Sequence, residues 1–298
     1  MTHQHDDTIL IAHPGGYPMR HRPGTHLAAP AAARHPLLIV HPYEDTRSPR
    51  WIGPGAGYGG RPVAVMGARD MESFSAPADI VARDIVDAAG WRDAREIHVL
   101  GQSTGAFAAL LYAALISLAL PSTRVAVMAF SPLVCVWPMI AGPRVSHHER
   151  TMKAGLAEER RRGNLERFGD ARPWINRAVE QNGDRFSARL LYAARNERDA
   201  AQAALLKDTP GVTLIPMPTA LHGFYRLIAL RGPWEAEVAH TRSRLEAEAG
   251  MGADEALQEA TAMQSAFATA AASEPDLFAI FTSKRRKVLL EPEKLSAA

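Results

Sequence analysis

Six short segments that are apolar on consecutive rather than alternate positions recur along the chain: LLIV (37–40), VAVM (63–66), IHVL (97–100), RVAVMAF (124–130), ARLLYAA (188–194) and VTLIPM (212–217). This pattern constrains the fold most. A strand with one face in water alternates apolar and polar residues, whereas a strand covered on both faces is apolar throughout. Helical stretches lie between the runs. APADIVARDIVDAAG (76–90) places Ile80, Val81, Ile85 and Val86 at helix spacing and stops at Gly90. Residues 105–120 are apolar all round, which predicts a helix buried against the sheet and ended by Pro121. ERDAAQAALLKD (197–208) is amphipathic and runs into Pro210-Gly211. Strand and helix in repeated order predict the α/β class, a mainly parallel sheet flanked by helices with right-handed crossovers.

Three parts of the chain depart from this rhythm. Residues 1–36 hold one short apolar run, 9–12, followed by HPGGYPMRHRPGTH (13–26), which reads as loop. The interval 131–187 is long and rich in Arg, Glu and His, as a cap-like insertion or lid would be. After Gly232 the chain turns to Ala- and Glu-rich helix, 233–248 and about 253–271, and ends in SKRRKVLLEPEKLSAA. The expected organisation is a main domain over 1–237, with the lid at 131–187, and a helical extension over 238–298 with a basic tail. A chain of 298 residues is long enough to close one sizeable core.

Composition narrows the function classes. With 34 basic and 32 acidic side chains the net charge is +2, so no nucleic-acid or membrane footprint follows from charge. Cys135 is the sole cysteine, which excludes an intrachain disulfide and a cysteine-based zinc site and predicts a small buried hydrophobe. No signal-peptide pattern is present, and the 105–120 stretch is shorter than the ~20 residues that span a bilayer. A cytoplasmic protein without a membrane span is expected.

Chemistry concentrates at Gly101-Gln102-Ser103-Thr104-Gly105, a G-x-S-x-G sequence with a strand before it and a helix directly after. A serine on so sharp a turn adopts a strained backbone, and flanking glycines let strand and helix nearly touch. Its hydroxyl then stands at the carboxyl edge of the sheet, beside a helix N-terminus that favours a developing negative charge. A hydroxyl needs a base, and the base needs a group to hold its tautomer. Of 12 histidines, His222 in PTALHGFYRLI follows the final strand run and can hang over the same edge. For the acid, Asp199 opens the helix after the preceding strand. Its alternative role is that of a helix cap, and Glu197 is the substitute candidate.

Through GQSTG, RNERD and LHGF with their flanking strands, residues 37–230 resemble the α/β-hydrolase superfamily, in which the triad follows the order Ser, Asp, His. More loosely, Phe130-Ser131-Pro132 resembles a bacterial branch linked to glycan modification and accessory secretion. The resemblance implies an α/β-hydrolase fold and a serine hydrolase cleaving an ester through an acyl-enzyme. Ser103 would be the nucleophile, His222 the base and Asp199 the orienting acid. It also implies oxyanion donors in the backbone N–H of Thr104 and of Tyr43, just beyond the third strand, Pro42 having no N–H to offer. No metal or organic cofactor is implied, and the expected substrate is a small-molecule or glycan ester. Acyl transfer or deacetylation on glycans is one alternative. Another is a non-catalytic hydrolase-like module that meets a protein partner through its C-terminal helices. His13-Pro14-Gly15-Gly16 looks like an oxyanion loop but comes one strand too early. His147-His148-Glu149 does not make a metal site, because adjacent helical residues point about 100° apart. The KRRK cluster (284–287) reads as a solvated tail.

Overall fold

The computed structural model describes residues 9–12, 18–22, 35–41, 63–67, 77–138, 159–228 and 233–273. In chain order the strands are β1 (Ile9–Ala12), β2 (Pro18–Arg22), β3 (Leu37–His41), β4 (Val63–Gly67), β5 (Glu96–Gln102), β6 (Arg124–Phe130), β7 (Phe186–Ala193) and β8 (Val212–Met217). The helices are α1 (Ala78–Ala88), α2 (Thr104–Ala119), α3 (Glu159–Phe168), α4 (Arg172–Asn182), α5 (Glu197–Ala204), α6 (Trp234–Ala249) and α7 (Ala253–Ser273). One sheet takes all eight strands in the order β1-β2-β4-β3-β5-β6-β7-β8. From β4 to β8 every neighbouring pair is parallel, while β2 runs antiparallel to both β1 and β4.

The six apolar runs are all strands. β2 falls within the stretch read as loop. Its Pro18 is the first residue of the strand, the position a strand tolerates because one ladder donor is lost at its end.

Two cores follow from the consecutive apolar pattern, one on each face. Leu38, Val40, Ile97, Val99, Val125 and Val127 point to the face covered by α1, α2 and α4. Their neighbours Leu37, Ile39, Leu100, Met128 and Phe130 point to the face covered by α6 and α7. At the first face, α2 is buried from Thr104 to Ser117 without an exposed stripe, as its sequence requires. A Leu→Ala change in such a helix costs about 2–5 kcal/mol. The buried Ser117 hydroxyl accepts from Asn182 Nδ2 at 2.8 Å, and the same amide reaches the Ser117 carbonyl at 2.7 Å. That pairing fixes α4, the crossover helix between β6 and β7, against α2.

Residues 139–158 of the expected lid lie outside the described residues. The rest of that interval, α3 and α4, contributes Leu165, Phe168, Ile175 and Ala178 to the first core. Cys135 is buried, and burial pushes its thiol up to about 11. At the second face Phe130 packs against Phe224, Tyr225 and Phe267, with ring centroids 6.2, 6.3 and 6.4 Å away. Phe267 belongs to α7, so the C-terminal helices close this core.

Candidate active site

The carboxyl ends of the central strands are level. Gln102 on β5 pairs with Phe130 on β6, Phe130 with Leu191 on β7, and Ala193 with Met217 on β8. The residues that follow therefore leave the sheet along one edge.

Ser103 sits at the β5–α2 turn with φ 52° and ψ −122°, a conformation that side chains with a Cβ rarely adopt. Its N–H donates to the Phe130 carbonyl at 2.8 Å, which anchors the turn to the neighbouring strand. The preceding glycine is required by contact. A Cβ on Gly101 would stand 2.5 Å from Ala109 Cβ and 2.7 Å from Ala106 Cα, and closer still to the Gly105 carbonyl oxygen. Only a bare Cα lets α2 start so near β5. Thr104, the first residue of α2, is buried at the helix end where backbone N–H groups and the dipole favour negative charge.

His222 lies in the segment between β8 and a 3₁₀ turn at Phe224–Arg226. Its Nε2 is 2.7 Å from Ser103 Oγ, 119 residues away in the chain. On the opposite side of the ring, Nδ1 is 2.8 Å from Asp199 Oδ1. The carboxylate accepts only, so Nδ1 carries the proton, and the neutral ring then presents Nε2 as acceptor to the serine hydroxyl. Asp199 is 1% exposed, in the first turn of α5, where Asn196 caps the helix by accepting from Asp199 N at 3.2 Å. Asp199 thus faces the imidazole, and the cap is its neighbour. Arg198 brings a guanidinium nitrogen 3.5 Å from the same Oδ1. Glu197, the substitute acid, has its side chain in solvent.

Tyr43 and His13 to Gly16 lie outside the described residues, as do His147 to Glu149 and residues 284–287. Among the described residues no group of three or more His, Cys, Asp or Glu is arranged to hold a metal ion, and no helix is long and apolar enough to cross a membrane.

Residues to which the sequence reading gave no part in the site support it from behind. Ser131 Oγ donates to the His222 carbonyl. Thr219 and Glu259, both buried, pair at 2.6 Å beneath the histidine segment. A signal for Glu259 does exist in the sequence. It stands on the stripe of Ala256, Ala260, Met263 and Phe267, a carboxylate on the apolar face of its helix.

The chain matches no described sequence family and no curated protein sequence. Among solved structures it is similar to the glycosylation-associated Gap123 complex from Streptococcus agalactiae, at 13% identity and TM-score 0.40, over 82% of this chain. The chain spans 47% of that protein's length. It is similar to Est816, described as an N-acyl homoserine lactone degrading enzyme, at 14% identity and TM-score 0.45, over 72% of this chain and 93% of that one. A hydrolase from Pseudomonas aeruginosa PA01 is similar at 14% identity and TM-score 0.42, over 80% and 98% of the two chains. With a serine turn after β5, a carboxylate after β7 and a histidine after β8 of a mostly parallel eight-stranded sheet, the chain has the α/β-hydrolase fold.

Proposed function

We propose that the protein is a serine hydrolase acting on ester bonds. The observation that carries this reading is the unbroken hydrogen-bonded path Ser103 Oγ, His222, Asp199, at 2.7 and 2.8 Å. A strained turn holding a hydroxyl against an imidazole has no packing purpose, and the strain of about 1–3 kcal/mol has to be offset elsewhere.

In this reading Ser103 Oγ attacks the ester carbonyl carbon as its proton passes to His222 Nε2. Asp199 keeps the second proton on Nδ1 and stabilises the imidazolium that forms. The tetrahedral oxyanion lies at the start of α2, where the Thr104 N–H serves it, and Tyr43 would supply the second N–H by resemblance. Each such donor contributes about 3–4 kcal/mol in acyl-transfer enzymes. Collapse breaks the ester C–O bond, and the Nε2 proton goes to the leaving alkoxide. Water then attacks the acyl-serine, gives its proton to Nε2, and releases the acid while Ser103 regains its hydrogen.

The test is p-nitrophenyl acetate turnover together with labelling by a fluorophosphonate. Wild-type protein is expected to turn over and to be labelled at Ser103, and Ser103→Ala to lose both while keeping its thermal transition. Turnover that survives in the alanine variant would overturn the reading.

A further inference from the structure

We propose that Glu259, on α7, is a positioning residue for the catalytic histidine and acid, so that the C-terminal helices are part of the catalytic apparatus. This rests on the serine hydrolase reading above. Two segments carry the acid and the base, and they leave β7 and β8 side by side. Ala194 N donates to Met217 O at 2.9 Å, Arg195 N to Thr219 O at 3.0 Å, and Asn196 Nδ2 to Ala220 O at 3.1 Å. Into this pair α7 inserts one carboxylate. Glu259 Oε1 accepts from Thr219 Oγ1 at 2.6 Å, and Oε2 accepts from Arg195 at 3.0 Å.

The direction of these bonds is set by proton count. Thr219 has one hydroxyl proton, which goes to the carboxylate, leaving its lone pair to accept from Leu221 N at 3.1 Å. Leu221 immediately precedes His222. A single buried carboxylate therefore holds the histidine segment through Thr219 and the acid segment through Arg195. Glu259 is 3% exposed and Thr219 fully buried, so the bond between them is shielded from water, while the Arg195 side chain on the other carboxylate oxygen is 60% exposed and makes the weaker tie. Burying a carboxylate costs several kcal/mol, and an apolar residue of similar volume on the same helix stripe would pack without that cost. The group is explained by the geometry it specifies.

A second polar tie acts further along the same segment. Thr241 on α6 donates to Leu227 O at 2.7 Å, and Gln264 on α7 donates to the Thr241 hydroxyl at 2.8 Å. Together the two helices grip the chain on both sides of His222. A displacement of the imidazole by a fraction of an ångström lengthens the 2.7 Å contact to Ser103, and misplacements on the 1 Å scale lower rates by about a hundredfold.

The experiment compares Thr219→Val, Thr219→Ser and Glu259→Gln with wild type. Thr219→Val keeps the volume and removes the hydroxyl. It is expected to lower kcat for p-nitrophenyl acetate and the fluorophosphonate labelling rate about tenfold, with KM within twofold. Thr219→Ser restores the hydroxyl and both rates, and Glu259→Gln falls between them. If all three variants lose thermal stability yet keep the wild-type kcat below their transitions, Glu259 serves only the fold and the proposal fails. The His222 Nδ1 proton resonance gives a readout independent of turnover. The bond to Asp199 protects it in wild type, and Thr219→Val is expected to expose it to solvent exchange. Its persistence in that variant would equally overturn the positioning role. Wild-type protein that is neither labelled nor active would sink the hydrolase reading instead, and the resonance would still decide the clamp.

Discussion

The hydroxyl of Ser131 donates to the backbone carbonyl of His222, 91 residues further along the chain. Ser131 is fully buried at the end of β6, with φ 45°, and its own N–H donates to Leu191 O at 2.8 Å. It joins the strand beside the serine turn to the histidine segment. Ser131→Gly retains a residue suited to positive φ and removes only the hydroxyl. A lost buried hydrogen bond of about 1 kcal/mol predicts roughly a fivefold fall in kcat. Stability should change little, because relieved backbone strain offsets the missing bond. Ester kinetics beside a thermal melt check this, and a wild-type kcat in the glycine variant would count against it.

Ser103 occupies backbone space that glycine enters without strain. Ser103→Gly is expected to be more stable than Ser103→Ala by about 1 kcal/mol, near 2 °C in Tm for a chain of this size, although both lack the hydroxyl proposed as nucleophile. Calorimetry of the two variants decides the matter, and an alanine variant at least as stable would mean that the turn stores no strain.

Gly101→Ala reverses the logic. Its methyl group would overlap Ala109 Cβ and Ala106 Cα at 2.5 and 2.7 Å, so α2 must move off β5. Overpacking of this kind costs about 1–3 kcal/mol. Movement of α2 also carries Ser103 away from His222, so the predicted loss of fluorophosphonate labelling is larger than the loss of stability. Chemical denaturation and labelling measured on one preparation would separate the two effects.

At the opposite end of β5, the hydrogen bond from His98 holds the Glu96 carboxyl below its ordinary value of 4.5, with His35 and Arg124 adding to the effect and burial opposing it. His98 Nε2 is 2.8 Å from Glu96 Oε1, and His35 lies 3.8 Å from the other oxygen. A carboxyl depressed in the folded state stabilises the fold above pH 4.5, and that contribution fades as pH falls through the folded value. Glu96→Gln is expected to be less stable than wild type at pH 7 by at most about 1 kcal/mol, since the carboxyl is partly exposed and solvent screens it. The two denaturation curves should converge in acid. A difference that persists unchanged below pH 4 would refute the assignment.

The sheet was legible because burial on both faces leaves a direct trace: Leu38 and Ile39, adjacent in sequence, enter different cores, so both must be apolar. The candidate site was legible as an arrangement for a related reason. Ser103, Asp199 and His222 each follow a strand, and parallel strands bring their ends to one edge. The tendencies of β2 are local and polar, and its pairing with β4 is a property of the assembled sheet. Ser131, Thr219 and Glu259 were illegible as partners because each is an ordinary polar residue until the fold brings it to a segment tens of residues away. Glu259 in particular sits in an Ala- and Glu-rich helix, where most glutamates face water. Asp199 and Glu197 were separable only by burial, since both open the same helix.

The closing of the second core by α7 gives the chain an order of completion. A ribosome that has released residues up to 252 has already made Ser103, Asp199 and His222, yet Phe130 still lacks Phe267 and the histidine segment lacks Glu259. Under the proposed serine hydrolase reading, the nascent protein would hold Ser103 with the histidine segment unanchored, and activity would begin only when the last described helix docks.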